Sequence, residues 1–399
     1  MNRSLKRLML HRYKRLMIFL FLIISGIYFF QTISGISSWK TDFNYFSSHE
    51  SLEHFNQQIE DSYEFEDSEA GKVFLYYDLK HDKSIYTDDF EDYKKYSLTM
   101  FNPNSDANQQ SFNSYPYYNE HFLQIAIIFG VVGILLFLLD LKTNFNALIF
   151  TSKFKRSAVY WYKYYFIGDT LAFTLFFSKL ISIAAYRFFI PSEYLNISLP
   201  QQLASSFSGW LFLLSLFLIC SFLGLIIGDW FLGIAATLTV FFTIQPFLAN
   251  IEYIHQTFFV KESEATSVVT ATALDNLLPV AQTTTQSINY LPIFIFLIIA
   301  LSSLFFGQYI FNNISLEEKN NFIMVSRFKR LFQLFIMIYG LITTCTGLFI
   351  MTVFPVEKLN MSSLVLNWSK MILIFFILFF VSEYVLFNKK PKLLEKLLF

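Results

Sequence analysis

Charge is scarce in this sequence. Asp, Glu, Lys and Arg make up 15% of its 399 residues, while hydrophobic types make up 54%. An ordinary soluble domain carries about 25% charged residues, so that class is excluded. Cysteine is scarcer still. Cys220 and Cys345 are the only two, and both fall in apolar runs. A disulfide framework therefore finds no support, and both read as small packing residues. Chemical motifs are also missing. There is no Gly-x-x-x-x-Gly-Lys-Ser/Thr loop, so the chain has no phosphate cradle of that kind for ATP. Neither Gly-x-Ser-x-Gly nor His-Glu-x-x-His occurs. The six histidines, His11, His49, His54, His81, His121 and His255, are scattered without metal-ligand spacing. His49 and His54 could meet on one helix, but they have no ligating companions. No catalytic, cofactor or metal site is assigned, and the expectation is a non-enzyme without a cofactor. No internal repeat of the kind that marks many secondary transporters is present.

What the sequence does contain is long apolar runs. A membrane helix needs about 20 such residues. Eight stretches qualify: Leu16–Ile36, Phe122–Leu139, Tyr164–Ala185, Phe207–Gly228, Trp230–Ala249, Leu291–Phe311, Leu331–Phe354 and Lys370–Asn388. The N-terminus is basic and then apolar, like a secretion signal, but the long run and the lack of a small-residue cleavage site favour an uncleaved anchor. Phe207–Ala249 is broken only by Asp229. One continuous helix of some 40 residues would far exceed a bilayer, so two helices joined by a tight turn are expected. Gly224, Gly228 and Gly233 near that turn read as helix-packing residues.

The basic residues test the count. Arg3, Lys6, Arg7, Arg12, Lys14 and Arg15 crowd the N-terminal tail. Lys142, Lys153, Lys155, Arg156 and Lys163 follow the second run. Lys319, Arg327, Lys329 and Arg330 follow the sixth, and Lys389, Lys390, Lys392 and Lys396 form the tail. With eight crossings and the N-terminus in the cytosol, every cluster lies inside, as short cytosolic loops prefer. The expected fold class is an all-α polytopic membrane protein of about eight transmembrane helices, with an extracellular insert between the first two. Both termini are then cytosolic and the location is the plasma membrane.

The insert, Ser37–His121, holds seventeen Asp and Glu against six Lys and no Arg. A solvated outer face explains that bias most simply, and attraction of a cationic substrate is the alternative. Within it Val73–Tyr77 predicts a strand and Asn102–Asp106 a turn. Asn250–Tyr290, a second outer connection, contains the mildly apolar Ala265–Val280. This is too short to span and suits either re-entrant helices or a surface loop. Asp169, Lys179 and Glu383 are the ionisable residues within the spans. Lys179 and Glu383 are expected to snorkel, and aromatic residues such as Trp39, Tyr160, Trp161 and Trp210 to anchor helix ends at the interface.

One cytosolic stretch, Asp140–Lys163, is short, basic and aromatic. Its first half predicts a short amphipathic helix with Phe145, Leu148, Ile149 and Ser152 on one face and Lys142, Asn146 and Lys153 elsewhere. Such a helix lies along the membrane surface. Asp140 ends the second run. Phe150-Thr151-Ser152-Lys153-Phe154-Lys155-Arg156 follows, and Tyr160-Trp161 with Lys163 opens the third. This order resembles the cytosolic loop of ABC-2-type exporter permeases, particularly of Gram-positive bacteria. Lys153 stands where that family has a proline, which alters how sharply the loop turns.

The resemblance spans residues 1–311 and implies a layout. Residues 1–36 are a cytosolic tail and first helix, 37–121 the extracellular insert, and 122–311 the permease core with its coupling loop at 140–163. Residues 312–399 are an extension with two more helices. It also implies a function: export of a substrate by a permease dimer, homo- or heteromeric, driven by two cytosolic ATPase subunits, with the bilayer as its other partner and no nucleic acid. Asp140, Phe145, Leu148, Ile149, Phe154, Lys155, Arg156 and Lys163 are the implied ATPase-coupling residues. Two other classes remain open, a non-transporting immunity or sensor protein with an outer ligand-binding domain and a membrane-embedded enzyme. The nature of a substrate, whether peptide, lipid or antibiotic, is not written in the sequence.

Overall fold

The apolar runs become helices, as a chain without water for its backbone requires. The computed structural model describes residues 3–63, 71–78, 83–100, 102–103, 112–113, 117, 122–152, 154–259, 290–314, 322–347 and 361–387. Six helices among them are long and apolar enough to cross a membrane, consistent with a multi-pass helical membrane protein. The first, α1 (Arg3–Phe46), is one unbroken helix of 44 residues, about 66 Å at 1.5 Å per residue. The basic tail is thus its first turns, and the start of the insert, Ser37–Phe46, is its last.

Beyond α1 the insert continues as α2 (His49–Asp61), β1 (Val73–Asp78), β2 (Lys83–Thr87) and α3 (Phe90–Leu98). The strand expected at Val73–Tyr77 is β1, paired antiparallel with β2 from Val73↔Thr87 to Asp78↔Lys83. Asn102–Pro103 pairs with Phe112–Asn113, and the rest of the turn expected at Asn102–Asp106 lies outside the described residues. Ser48 and Asp89 cap α2 and α3 by accepting from Ser51 N and Glu91 N. The insert has its own small core. Trp39, Met100, Tyr117, Tyr186, Ile190 and Leu195 are buried together. Trp39 Nε1 donates to Leu98 O at 2.9 Å, and burial beside Asp42 holds the Tyr117 hydroxyl well above its ordinary pKa.

The main core is built from α4 (Phe122–Lys142), α5 (Phe145–Phe150), α6 (Arg156–Lys163), α7 (Asp169–Phe189), α8 (Leu199–Ile226), α9 (Trp230–Phe259) and α10 (Tyr290–Asn313). A π-helical turn, Tyr164–Gly168, joins α6 to α7 within one continuous rod. The segment α11 (Lys329–Gly347) packs on α9 and on α12 (Met361–Phe387). The run expected over Phe207–Ala249 is two helices, as the length argument requires. Only Ile227, Gly228 and Asp229 separate them. Asp229 Oδ1 caps α9 by accepting from Phe231 N at 2.9 Å and Leu232 N at 3.1 Å. The chain after α10 closes the turn from outside: Gly228 N donates to Phe322 O at 2.9 Å and Met324 N to Ile226 O at 2.8 Å. Helix α9 runs on through Asn250–Phe259, which the sequence assigned to the outer connection. Ala265–Val280 lies outside the described residues.

Glycine sets the tightest crossing. A Cβ on Gly133 of α4 would stand 2.7 Å from Phe217 O and 2.9 Å from Cys220 Cβ. A Cβ on Gly224 of α8 would run into the Ile134 backbone of α4. Small residues on both partners let these backbones touch, the usual way membrane helices associate. Gly26 of α1, by contrast, faces open space. Gly224→Leu is therefore expected to lower the thermal midpoint of the detergent-solubilised protein strongly, in line with a cost of about 1–3 kcal/mol for overpacking. Gly26→Leu should leave it near wild type. Thermal unfolding followed by fluorescence-detected size exclusion compares the two.

Candidate functional site

The stretch from Asp140 to Lys163 forms the expected short helix between two longer ones. Thr143 and Asn144 end α4, and Asn144 takes the left-handed conformation with φ of 54°, which Asn tolerates better than most residues. The chain reverses there into α5. After α5 it turns again and enters α6 at Arg156, with Lys155 as the N-cap residue.

Asp140 is fully buried, and four donors meet its carboxylate. Oδ2 accepts from Lys163 Nζ at 2.8 Å and from the Tyr13 hydroxyl. Oδ1 accepts from Arg12 Nη2 at 3.2 Å and Nε at 3.3 Å. An ionised carboxylate has about four acceptor sites, so each is occupied. Lys163, also fully buried, spends its other two protons on Asn146 Oδ1 at 3.4 Å and Leu136 O at 3.5 Å. Its ammonium lies 4.7 Å from the centre of the Phe137 ring and 5.6 Å from that of Phe311, positions that favour a cation. Arg12 Nη2 reaches Thr143 Oγ1 at 2.6 Å, and its guanidinium stacks 5.1 Å from the Phe145 ring.

The cluster therefore ties α1, α4, α5 and α6 together through one anion and two cations. Buried ions survive only when paired and hydrogen-bonded throughout, and this set meets both conditions.

The structure brings Asp140, Phe145 and Lys163 into this cluster and spreads the other expected coupling residues around it. Ile149 is buried in the main core, and Phe145 and Phe154 pack partly against it. Leu148 is 61% exposed, so the apolar face of α5 divides: Phe145 and Ile149 seat the helix while Leu148 points away. Lys155 is exposed. Arg156 Nη1 donates to the carbonyls of Asn312 at 3.0 Å and Ile314 at 3.2 Å, a cation at the end of α10 where carbonyls lack helical partners.

Sequence reasoning missed Arg12 and Tyr13. They read as part of a topological charge run, and only their position on a continuous α1 reveals their partner. It also misjudged several aromatic residues. Trp161 fits an interface anchor, but Tyr160 is buried and donates to Leu304 O at 2.6 Å, while Tyr164 shares a 2.6 Å hydrogen bond with Ser221. Lys179 does not snorkel: it is 3% exposed, over the Tyr28 ring at 5.9 Å. Glu383 accepts from Arg330 at 3.0 Å and Gln333 at 2.7 Å, linking α11 to α12. No group of His, Cys, Asp and Glu suited to a metal occurs among the described residues.

The count of charges sets an order of mutational damage. Lys163→Met leaves Arg12 facing Asp140. Asp140→Ala leaves two cations together with no anion, the case that typically costs about 3–5 kcal/mol. The expected destabilisation is Asp140→Ala greater than Lys163→Met, with Arg12→Gln mildest because Arg12 is partly exposed. Asp140→Ala with Lys163→Met should cost less than the sum of the two single changes. Thermal midpoints of the four variants check the order and the coupling.

No family model, curated protein or solved structure matches this chain.

Proposed function

We propose that the chain is the permease subunit of an ABC exporter, moving a substrate across the plasma membrane on ATP hydrolysis by a separate cytosolic subunit. The observation that carries the reading is the construction of α5. It is a six-residue helix lying between two apolar helices. Asn146 and Phe145 key it to a buried ion cluster, and it turns one bulky apolar side chain, Leu148, outward. A chain without its own nucleotide loop must receive force by contact. A short helix tied through that cluster to three longer ones, α1, α4 and α6, is a suitable receiver, because its displacement acts on all of them. Leu148 supplies the anchor for a groove on the ATPase, with Lys155 beside it for that groove's acidic rim or for anionic headgroups.

In this reading the N-terminus, α5, the segment after α10 and the C-terminus are cytosolic, with α2, α3 and the β1–β2 hairpin outside. Eight crossings satisfy the basic clusters, α9 and α11 supplementing the six spans. Two permease chains and two ATPase subunits form the assembly.

Two experiments test it. In a cysteine-free background, Asp92→Cys should react with an impermeant thiol reagent in intact cells, and Thr151→Cys only after lysis. Labelling of Thr151→Cys in intact cells overturns the topology. Leu148→Asp with Lys155→Glu should leave the amount of inserted protein unchanged. It should reduce co-purification of an ATPase subunit bearing Gly-x-x-x-x-Gly-Lys-Ser/Thr by about tenfold, the scale of losing one interface anchor. Retention of that subunit by the double variant, or ATP turnover by the purified chain alone, overturns the assignment.

A further inference from the structure

An open groove of about 1090 Å³ runs between α1 and α7. Along α1 it extends from Met17 to Ile36, about 29 Å at helical rise, which matches the ~30 Å hydrocarbon core of a bilayer. Its rims are large and apolar: Phe21, Leu22 and Phe29 on α1 and Phe173, Phe177 and Ile181 on α7, all exposed. Its floor is small and hydroxylated, and the hydroxyls are engaged across or along the helices. Thr32 donates to Tyr28 O at 2.7 Å and lies 2.7 Å from Ser182 Oγ, and Ser25 lies 3.4 Å from Ser178. A polar occupant therefore has little to bind in the middle, whereas an aliphatic chain meets apolar walls throughout.

The two mouths differ in charge. At the α6 end, Lys6 sits 5.6 Å from the Tyr165 ring, but Asp169 lines the groove one turn further in and offsets it. At the far end, Lys40 is exposed and sits 4.9 Å from the ring of Phe189, itself a lining residue. The nearest acid along α1, Asp42, stands against the Tyr117 hydroxyl. The far mouth is thus an aromatic lip carrying a cation. The π-helical turn at Tyr164–Gly168 sets the opposite end, since such a turn re-aims the side chains after it.

We propose that this groove binds one acyl chain of an anionic membrane lipid, with the lipid's headgroup at Lys40 and its tail directed towards Asp169. Charge complementarity at the Lys40 mouth favours an acidic headgroup over a zwitterionic one, and the stretch of groove from Ile36 to Gly26, about 15 Å at helical rise, matches the half of the hydrocarbon core that one acyl chain occupies. Gly26, on the exposed face of α1 between Leu22 and Phe29, leaves open space where the end of that chain lies. The site is independent of the transport reading, because binding needs no ATPase.

The test is native mass spectrometry of the full-length chain in detergent, titrated with phosphatidylglycerol and with phosphatidylcholine of identical acyl chains. Wild type is expected to bind phosphatidylglycerol about fivefold more tightly, the scale of one basic residue near an acidic headgroup. Lys40→Gln, an exposed change, should bring the two lipids to parity while leaving phosphatidylcholine binding as it was. Lys6→Gln should keep the preference. Gly26→Trp, which places a bulky ring in the groove, should weaken both lipids about tenfold. Equal binding of the two lipids by wild type overturns the proposal, as does a preference that survives Lys40→Gln. It also fails if Gly26→Trp instead dissociates a dimer with lipid binding unchanged, which would make this face a contact between copies of the chain.

Discussion

A carboxylate without water needs donors on every side, and Asp140 obtains them from two separate stretches of the chain. Lys163 comes from α6, and Arg12 and Tyr13 from α1. None of these elements can shift far without exposing a buried charge, and the cost of such exposure is steep where little solvent can compensate. The position of α5 follows from that constraint. Its Asn146 accepts from Lys163 and its Phe145 stacks on Arg12, so two members of the cluster also hold the helix.

From this cluster, connections continue round the same end of the bundle. Arg156 holds the last carbonyls of α10. The chain following α10 pairs with the turn between α8 and α9 through Phe322, Ile323 and Met324. Helices α1, α4, α5, α6, α8 and α10 therefore join a layer at one end by a hydrogen bond or an ion pair. At the mid-depth of the bundle the contacts are different in kind. There glycine and rings dominate, as where Gly133 and Gly224 bring α4 against α8. Beside them two hydrogen bonds, Tyr160 to Leu304 O and Tyr164 with Ser221, cross between helices within the same packing.

The apolar helices were legible because twenty uncharged residues leave few alternatives. The break at Asp229 was legible for the same reason in reverse, since one helix of that length has no bilayer to fill. Val73–Tyr77 was legible as a strand by its Val and aromatic content, and the structure extends it to Asp78, while the α5 segment was legible by its helical spacing. Arg12 was not. In the sequence it is one of six basic residues before an apolar run, and nothing local separates it from Arg15. Its role depends on a partner 128 positions away and on the continuity of α1, which a topological reading cuts at Leu16. Tyr160, Tyr164 and Lys179 failed likewise. Residue type suggested an interface or snorkelling role, while their partners, Leu304, Ser221 and Tyr28, lie on other helices.

The segment between α1 and α4 is fixed to the bundle. Its small core is shared with α1 through Trp39 and with α7 through Tyr186 and Ile190, and Gly35 admits Tyr117 and Tyr186 where a Cβ would collide. Helices α1 and α7 thus hold the insert at one end. At the other, α1 holds the Asp140 cluster directly, and α7 reaches it through the π-helical turn and α6. Between these two fixed ends they touch mainly through hydroxyl pairs, Ser25 with Ser178 and Thr32 with Ser182, and part to form the groove. A pair of rods pinned at both ends and loosely joined between has one soft coordinate, the spacing of its middle. The paired hydroxyls at the floor of the groove are cheaper to rearrange than the ion cluster at one end or the aromatic core at the other.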